Sequence, residues 1–187
     1  MILTRKTDMH LDEKTISSEK IFEGRVIKLE RDTVLLENGE QATREVVLHP
    51  GGVCVVPLTP ENEVYVVRQF RYPHRRVFLE IPAGKLEYGE DPFEAVQREL
   101  LEEVGAVASE YESLGEIVPT PAYDSEVIHM YLARGLTFSE QSLDEDEFLD
   151  VEKIALSDLV KMVLDGDIKD SKTQAAILKT YLLLKDE

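Results

Sequence analysis

Apolar residues recur along the chain with two periods, one typical of strands and one typical of a helix. Between about residues 20 and 48, short apolar runs flank the sequence ENGE, and Asn-Gly between such runs favours a β-hairpin. Near residue 51 begin the β-branched runs VCVVPL and EVYVVRQF, which are separated by the turn sequence TPEN. We therefore predict an N-terminal antiparallel β region over residues 1–48 and a larger domain over residues 49–187.

The clearest helix is predicted between residues 92 and 104. Its apolar stripe has helical spacing and consists of Phe93, Val96, Leu100 and Val104. Asp91 is suited to cap the first turn, Pro92 is favoured at the first helical position, and Gly105 is suited to end the helix.

The rest of the chain mixes strands and helices. The proline-containing loop VPTPAYDSE precedes the strand VIHMYLARG, and an acidic loop and the short strand FLDVEKI follow. Two helices come last, for which Ser157 and Ser171 are the expected N-caps. Strands and helices without regular βαβ alternation predict a layered α/β (α+β) domain with a mixed sheet.

Composition narrows the class of protein. The 187 residues are 43% hydrophobic and 32% charged, as is typical of soluble globular proteins. The N-terminal sequence lacks the apolar core of a signal peptide, and no stretch reaches the ~20 apolar residues of a membrane span. The single cysteine, Cys54, excludes an internal disulfide, and its apolar surroundings are typical of a buried residue. We expect a cytoplasmic protein.

The net charge of −17 argues against nucleic acid and anionic membranes as partners. A small anionic substrate remains compatible with it, because a divalent cation and a few arginines can hold a phosphate.

Three carboxylates gather on one face of the predicted helix. Glu99, Glu102 and Glu103 stand at i, i+3 and i+4, where like charges repel by a few tenths of a kcal/mol per pair. A hard divalent cation such as Mg²⁺ takes oxygen ligands and would make this cluster a binding site. The alternative is a solvated acidic face of a surface helix.

The surrounding residues favour the metal site. Gly84 and Glu90 precede the run RELLEEVGA at spacings of five and seven residues, which resembles the Nudix box G-x5-E-x7-R-E-U-x-E-E-x-G-U at all seven fixed positions. The resemblance implies an αβα sandwich with a central mixed sheet, and hydrolysis of a nucleoside diphosphate linked to another moiety. It also implies that Glu99, Glu102, Glu103 and the carbonyl of Ala83 bind Mg²⁺ or Mn²⁺.

The same resemblance gives the other residues of the box structural roles. Gly84 permits a tight turn, Glu90 pairs with Arg98 to fix the loop to the helix, and Gly105 ends the helix. Glu103 is also counted as catalytic, because we expect its loss to reduce turnover by several orders of magnitude.

Other segments resemble the ADP-ribose pyrophosphatase subgroup. Pro121 lies sixteen residues after Gly105, as in that subgroup, and the resemblance places it among the substrate-binding residues; the alternative is an ordinary loop proline. In RQFRY, Arg71 would contact a phosphate, or else be a solvated charge. The segments IFEGRVI and TREVV resemble the N-terminal β region through which that subgroup forms swapped homodimers. The resemblance implies that Phe22 stacks on adenine from the partner subunit and that Arg44 reaches the ligand. Core packing is the alternative for Phe22.

A general base is expected on the loop SLDEDEFLDV, where Glu145 and Glu147 are equal candidates. The expected reaction is Mg²⁺-dependent hydrolysis of ADP-ribose to AMP and ribose 5-phosphate. The alternatives are another nucleoside diphosphate sugar such as ADP-glucose or GDP-mannose, and a non-catalytic nucleotide-sugar sensor. An RNA-directed activity would need a basic channel, which the sequence does not indicate.

Overall fold

The computed structural model describes residues 11–143 and 148–186. The chain forms two compact units. One, called the N-terminal unit, contains the residues up to 49 together with 120–126, and the other, called the main unit, contains 50–119 and 127–187.

The N-terminal unit is built on an antiparallel sheet of three strands in the order β1-β2-β3. These strands are β1 (Lys14–Glu23), β2 (Lys28–Leu35) and β3 (Gln41–Leu48). The predicted hairpin between β2 and β3 is confirmed: Gly39 has φ 82° and donates its N–H to the carbonyl of Leu36 at 2.9 Å. The first strand begins earlier than predicted, and all ten of its residues are exposed.

The loop that contains Pro121 joins this unit through the end of β3. The N–H of Val47 donates to the carbonyl of Tyr123 at 2.7 Å, and the N–H of Ser125 donates to the carbonyl of Val47 at 2.9 Å. The N–H of His49 donates to the hydroxyl of Ser125 at 2.9 Å. A segment distant in sequence therefore extends the N-terminal unit.

The described part of the main unit contains two sheets. The strands of the mixed sheet, in the order β7-β4-β9-β8, are β4 (Gly52–Pro57), β7 (Ala83–Lys85), β8 (Ala106–Ile117) and β9 (Ile128–Phe138). Strands β4 and β9 are parallel, and the other pairs of this sheet are antiparallel. The antiparallel sheet, in the order β10-β5-β6, contains β5 (Glu63–Arg71), β6 (Arg76–Glu80) and β10 (Leu149–Ala155). The two β-branched runs are thus strands as predicted, but they belong to different sheets.

The helices of the main unit are α1 (Pro92–Val104), α2 (Leu156–Leu164) and α3 (Ser171–Asp186). The predicted cap of α1 is confirmed, since the carboxylate of Asp91 accepts the N–H groups of Phe93 and Glu94 at 2.8 and 3.3 Å. The other two predicted caps are wrong. Helix α2 begins one residue before Ser157 without a side-chain cap, and Asp170, which precedes Ser171, accepts the Thr173 N–H at 2.9 Å.

Two apolar clusters lie on opposite sides of β4, because successive side chains of a strand point to opposite faces. Cys54 and Val56 pack with residues of α2 and α3, whereas Val53 and Val55 pack with residues of α1. Helices therefore cover both faces of the mixed sheet, which confirms the predicted αβα architecture and explains why every residue of β4 is buried. Among the described helices, none combines the length and the apolar character needed to cross a membrane.

Candidate functional site

The loop before α1 is fastened to the helix by Arg98. Its Nε and Nη2 donate to the two carboxylate oxygens of Glu90 at 3.1 and 3.2 Å. Glu90 in turn accepts the N–H of Glu87 at 2.8 Å. The pairing expected between Glu90 and Arg98 is present, and it holds the loop against the first turns of the helix.

Arg98 also lies between two of the three glutamates proposed as metal ligands. Its Nη1 donates to Oε1 of Glu99 at 2.8 Å and to Oε2 of Glu102 at 3.0 Å. Burial disfavours the charged form of Arg98, but the hydrogen bond with Glu90 and the charge of Glu99 outweigh it and raise the pKa of the guanidinium. One cationic group is thus bound by carboxylates of two successive helical turns.

Gly84 makes room for the carboxylate of Glu99. A methyl group at this position would lie 1.8 Å from both Cδ and Oε1 of Glu99, well inside van der Waals contact. Glu99 is only 7% exposed, so its carboxylate is enclosed between the helix and β7. Any side chain at position 84 would therefore displace the Glu99 carboxylate from this place.

Glu103 joins the helix to the residue that begins β7. Its side chain is almost fully buried, and its Oε2 accepts the N–H of Ala83 at 2.9 Å. The two residues proposed to contribute a carboxylate and a carbonyl to the metal are therefore in direct contact.

The donor set of this helix fits a hard divalent cation, because it consists of carboxylate oxygens and two of them already share one cationic nitrogen. Within residues 11–143 and 148–186, however, no three His, Cys, Asp or Glu side chains converge closely enough to hold a metal ion. Glu99 and Glu102 are turned to Arg98, and Glu103 is turned to the Ala83 amide.

Arg71 lies at the outer edge of a largely buried cluster of charges that sequence reasoning missed. Its guanidinium donates two hydrogen bonds of 2.7 Å to Glu80, the last residue of β6. Glu80 also accepts a hydrogen bond from Lys172, which pairs with Asp170 at 3.0 Å. Arg71 is therefore ion-paired with Glu80, although its side chain remains 38% exposed. The only signals in the sequence were a glutamate inside the apolar run VFLEIP and a lysine at the start of a helix.

The cluster also fixes the chain just before the metal-site residues. Thr173, in the first turn of α3, accepts the N–H of Ile81 at 3.0 Å and donates its hydroxyl to Asp170 at 2.6 Å. Burial would raise the pKa of Glu80, but the hydrogen bond with Arg71 and the charge of Lys172 outweigh it and lower that pKa to about 2.

The segment after β9 is anchored to the end of α1. The N–H of Ser139 donates to the carbonyl of Gly105 at 2.7 Å, and the N–H of Ser142 donates to that of Glu102 at 3.2 Å. The side-chain amide of Gln141 donates to the carbonyl of Glu103. These contacts satisfy carbonyls that the helix end leaves without partners. The two candidates for the general base, Glu145 and Glu147, lie outside the described residues.

The remaining predicted ligand contacts belong to the N-terminal unit. Phe22, on β1, is 54% exposed, so the core-packing alternative for it is wrong. Arg44, on β3, donates from Nε to Glu13 at 2.8 Å. Pro121 lies in an exposed turn within residues 120–126.

Two family models together match most of the chain. Residues 48–176 match the NUDIX domain, and residues 13–47 match the nucleoside diphosphate sugar hydrolase N-terminal domain. The chain therefore belongs to the Nudix family, as the residues of the box indicated, and its class is that of the Nudix pyrophosphohydrolases.

Its similarity to individual proteins extends over nearly the whole length. A methanol dehydrogenase activator from Bacillus methanolicus is 44% identical over 177 residues, which are 94% of this chain and 95% of that protein. An ADP-ribose pyrophosphatase from Bacillus subtilis (strain 168) is 43% identical over 178 residues, with the same two coverages. A solved structure of an ADP compounds hydrolase is 23% identical and has a TM-score of 0.83, covering 93% of this chain and 95% of that one, which shows the same fold.

Proposed function

We propose that this protein hydrolyses the pyrophosphate of ADP-ribose to AMP and ribose 5-phosphate in a Mg²⁺-dependent reaction. The observation that carries the proposal is the arrangement of α1, where Glu99 lies against Gly84 and Glu103 holds the Ala83 amide. The likeness to an ADP-ribose pyrophosphatase over 94% of the chain supports the choice of substrate.

The metal would be held by Glu99, Glu102 and Glu103, with the carbonyl of Ala83 as a further ligand. Mg²⁺ bound there would polarise the phosphate oxygens and make the attacking water more acidic. The chain's own residues have the task of positioning. Arg98 fixes the glutamates and the loop, and Arg71 would bind a phosphate oxygen of the substrate.

A glutamate of the loop after β9 would accept the proton of the water. Glu145 and Glu147 are proposed equally for this role, and the anchoring of Ser139, Gln141 and Ser142 to the end of α1 supports it. Hydrogen-bond reach of the water is the requirement that either glutamate must meet.

The proposal includes a cytoplasmic homodimer formed through the N-terminal unit. The edge strand β1 exposes Ile16, Ile21 and Phe22 at 49%, 46% and 54%, and an edge strand with exposed apolar side chains is suited to pairing with another chain. Phe22 would then stack on adenine from the partner subunit, and Arg44 would reach the ligand. Light scattering of the protein eluting from a sizing column measures the oligomeric state directly.

The experiment that tests the reaction is product analysis with ADP-ribose, ADP-glucose, GDP-mannose and NADH, each with Mg²⁺, with Mn²⁺ and with EDTA. We expect kcat/KM for ADP-ribose to exceed the others at least tenfold and to vanish in EDTA. Preference for GDP-mannose or ADP-glucose would keep the chemistry and overturn the substrate. No turnover of any compound would favour a sensor.

A further inference from the structure

Glu80 has more positive charge around it than one carboxylate requires. Arg71 contacts it with two nitrogens, Nε on Oε1 and Nη2 on Oε2, each at 2.7 Å. Lys172 donates from Nζ to Oε2 as well. The Glu80 side chain is only 2% exposed, so both contacts are made almost without water.

The two cations differ in how accessible they are. The side chain of Arg71 is 38% exposed, whereas that of Lys172 is 11% exposed. Glu80, the partner of Arg71, ends β6, and β7 begins shortly after it with Ala83, whose N–H donates to Glu103. Arg71 is thus the outer partner of Glu80, next to the candidate active site, and Lys172 is the inner partner.

An inner cation changes what Arg71 is able to do. A buried carboxylate that loses its only cation is strongly destabilised, so a single arginine would be held in place by the charge it neutralises. With Lys172 present, Glu80 keeps a charge-assisted hydrogen bond when Arg71 moves away. Asp170, the other carboxylate near Lys172, is also satisfied by the N–H and hydroxyl of Thr173 at 2.9 and 2.6 Å.

We propose that Lys172 is a positioning residue that releases Arg71 for the substrate. By neutralising Glu80 from the buried side, it allows Arg71 to exchange that carboxylate for the diphosphate of a nucleoside diphosphate. The backbone after Glu80 stays fixed during the exchange, because Thr173 holds the N–H of Ile81. The identity of the ligand rests on the proposed function, whereas the exchange itself rests on the contacts of Glu80.

The test is equilibrium binding of ADP by calorimetry to the full chain carrying Lys172→Met, Glu80→Gln or both. Lys172→Met should weaken ADP binding at least tenfold, because Arg71 becomes the sole partner of a buried charge. Glu80→Gln should bind ADP at least as tightly as the wild type, because Arg71 is released. The double variant should return to within threefold of the wild type, because no charge remains to hold Arg71.

A merely structural lysine would behave differently. Its loss would lower Tm and the fraction of protein that binds, leave Kd of the folded fraction unchanged, and not be rescued by Glu80→Gln. The matched control is Lys153→Met, which removes another ion-paired lysine, bonded to Glu63 at 2.5 Å, and should leave Kd within twofold. In an Arg71→Ala background, Lys172→Met should no longer affect Kd.

Unchanged ADP binding by Lys172→Met, or a double variant as weak as Lys172→Met, would overturn the inference. If Lys172→Met fails to fold, Glu80→Gln alone decides: ADP binding as tight as in the wild type or tighter supports release of Arg71, and weaker binding contradicts it. ADP binding does not require hydrolysis. If the wild-type protein binds ADP but does not hydrolyse nucleotide sugars, only the proposed function is overturned. If the wild-type protein does not bind ADP, the exchange at Arg71 is overturned.

Discussion

Replacing Gly84 by alanine tests how far the position of the Glu99 carboxylate determines activity. The added methyl carbon would lie 1.8 Å from Cδ of Glu99, and carbon atoms normally approach to about 3.5–4.0 Å, so the Glu99 carboxylate must move by about 2 Å. Gly84 does not have positive φ, so alanine introduces no backbone strain of its own. The carboxylate ends a flexible side chain and is able to rotate away, which costs about 1–2 kcal/mol through the lost contact with Arg98.

The effect on catalysis should be much larger than the effect on folding. A displacement of about 1 Å in a catalytic group can cost about a hundredfold, so we expect kcat/KM to fall at least a hundredfold, or about 2.7 kcal/mol. Urea unfolding and steady-state kinetics on ADP-ribose with Mg²⁺ measure the two effects. Glu99→Gln should lower kcat/KM by a similar factor. The double variant should have a kcat/KM no lower than that of the less active single variant, because both changes remove the same carboxylate from its place.

Gly39→Ala is the matched control. Gly39 has φ +82° and open space where the methyl group of an alanine would lie, so alanine should cost about 1 kcal/mol of stability through the left-handed backbone and leave kcat/KM within threefold. The reasoning is refuted if Gly84→Ala keeps kcat/KM within threefold of the wild type. It is equally refuted if the loss is explained by unfolding alone.

Three further predictions concern buried groups. Glu103→Gln should lower kcat by several orders of magnitude with little change in Tm, because the glutamine oxygen still accepts the Ala83 N–H; near-normal kcat would contradict the ligand role. The pKa of Glu80 is lowered from 4.5 to about 2, which at about 1.4 kcal/mol per pH unit corresponds to about 3 kcal/mol. This stabilisation is present above pH 4.5 and is lost as the pH falls toward 2. The free energy of unfolding measured with urea should therefore fall more steeply between pH 6 and 3 in the wild type than in Glu80→Gln. Parallel pH dependences of the two proteins would contradict this prediction. Burial raises the pKa of Cys54 to about 12, so a thiol reagent at pH 8 should label the native protein only after unfolding, and rapid labelling would contradict that burial.

Local signals in the sequence were sufficient where one short segment determines its own structure. Helix α1 begins and ends where Asp91 and Gly105 predict, because both caps act within one turn of the residues they satisfy. The β2–β3 hairpin forms around Gly39 for the same reason. Strand β8 was missed because its sequence AVASEYESLGEI buries few residues and shows no regular alternation. Strand β8 is formed instead by its antiparallel pairing with β9.

The caps of the last two helices show a second limit. Ser157 and Ser171 are good capping residues by type, yet α2 starts one residue earlier and α3 is capped by the adjacent Asp170. Two neighbouring residues of similar propensity cannot be ranked from local preference alone. In α3 the tertiary contacts decide, since Asp170 also accepts the Thr173 hydroxyl and pairs with Lys172.

The sequence by itself determined the class of the protein, because the spacing of the residues from Gly84 to Gly105 encodes a turn, a helix and its cluster of carboxylates within one continuous segment. Only the tertiary structure decided which distant charges support that segment. Glu80 and Lys172 are 92 residues apart and meet because the fold brings the end of β6 to the start of α3, where Thr173 also accepts the N–H of Ile81. A buried charge requires a partner but does not specify where in the sequence the partner lies, so such a pair appears only after the chain has folded.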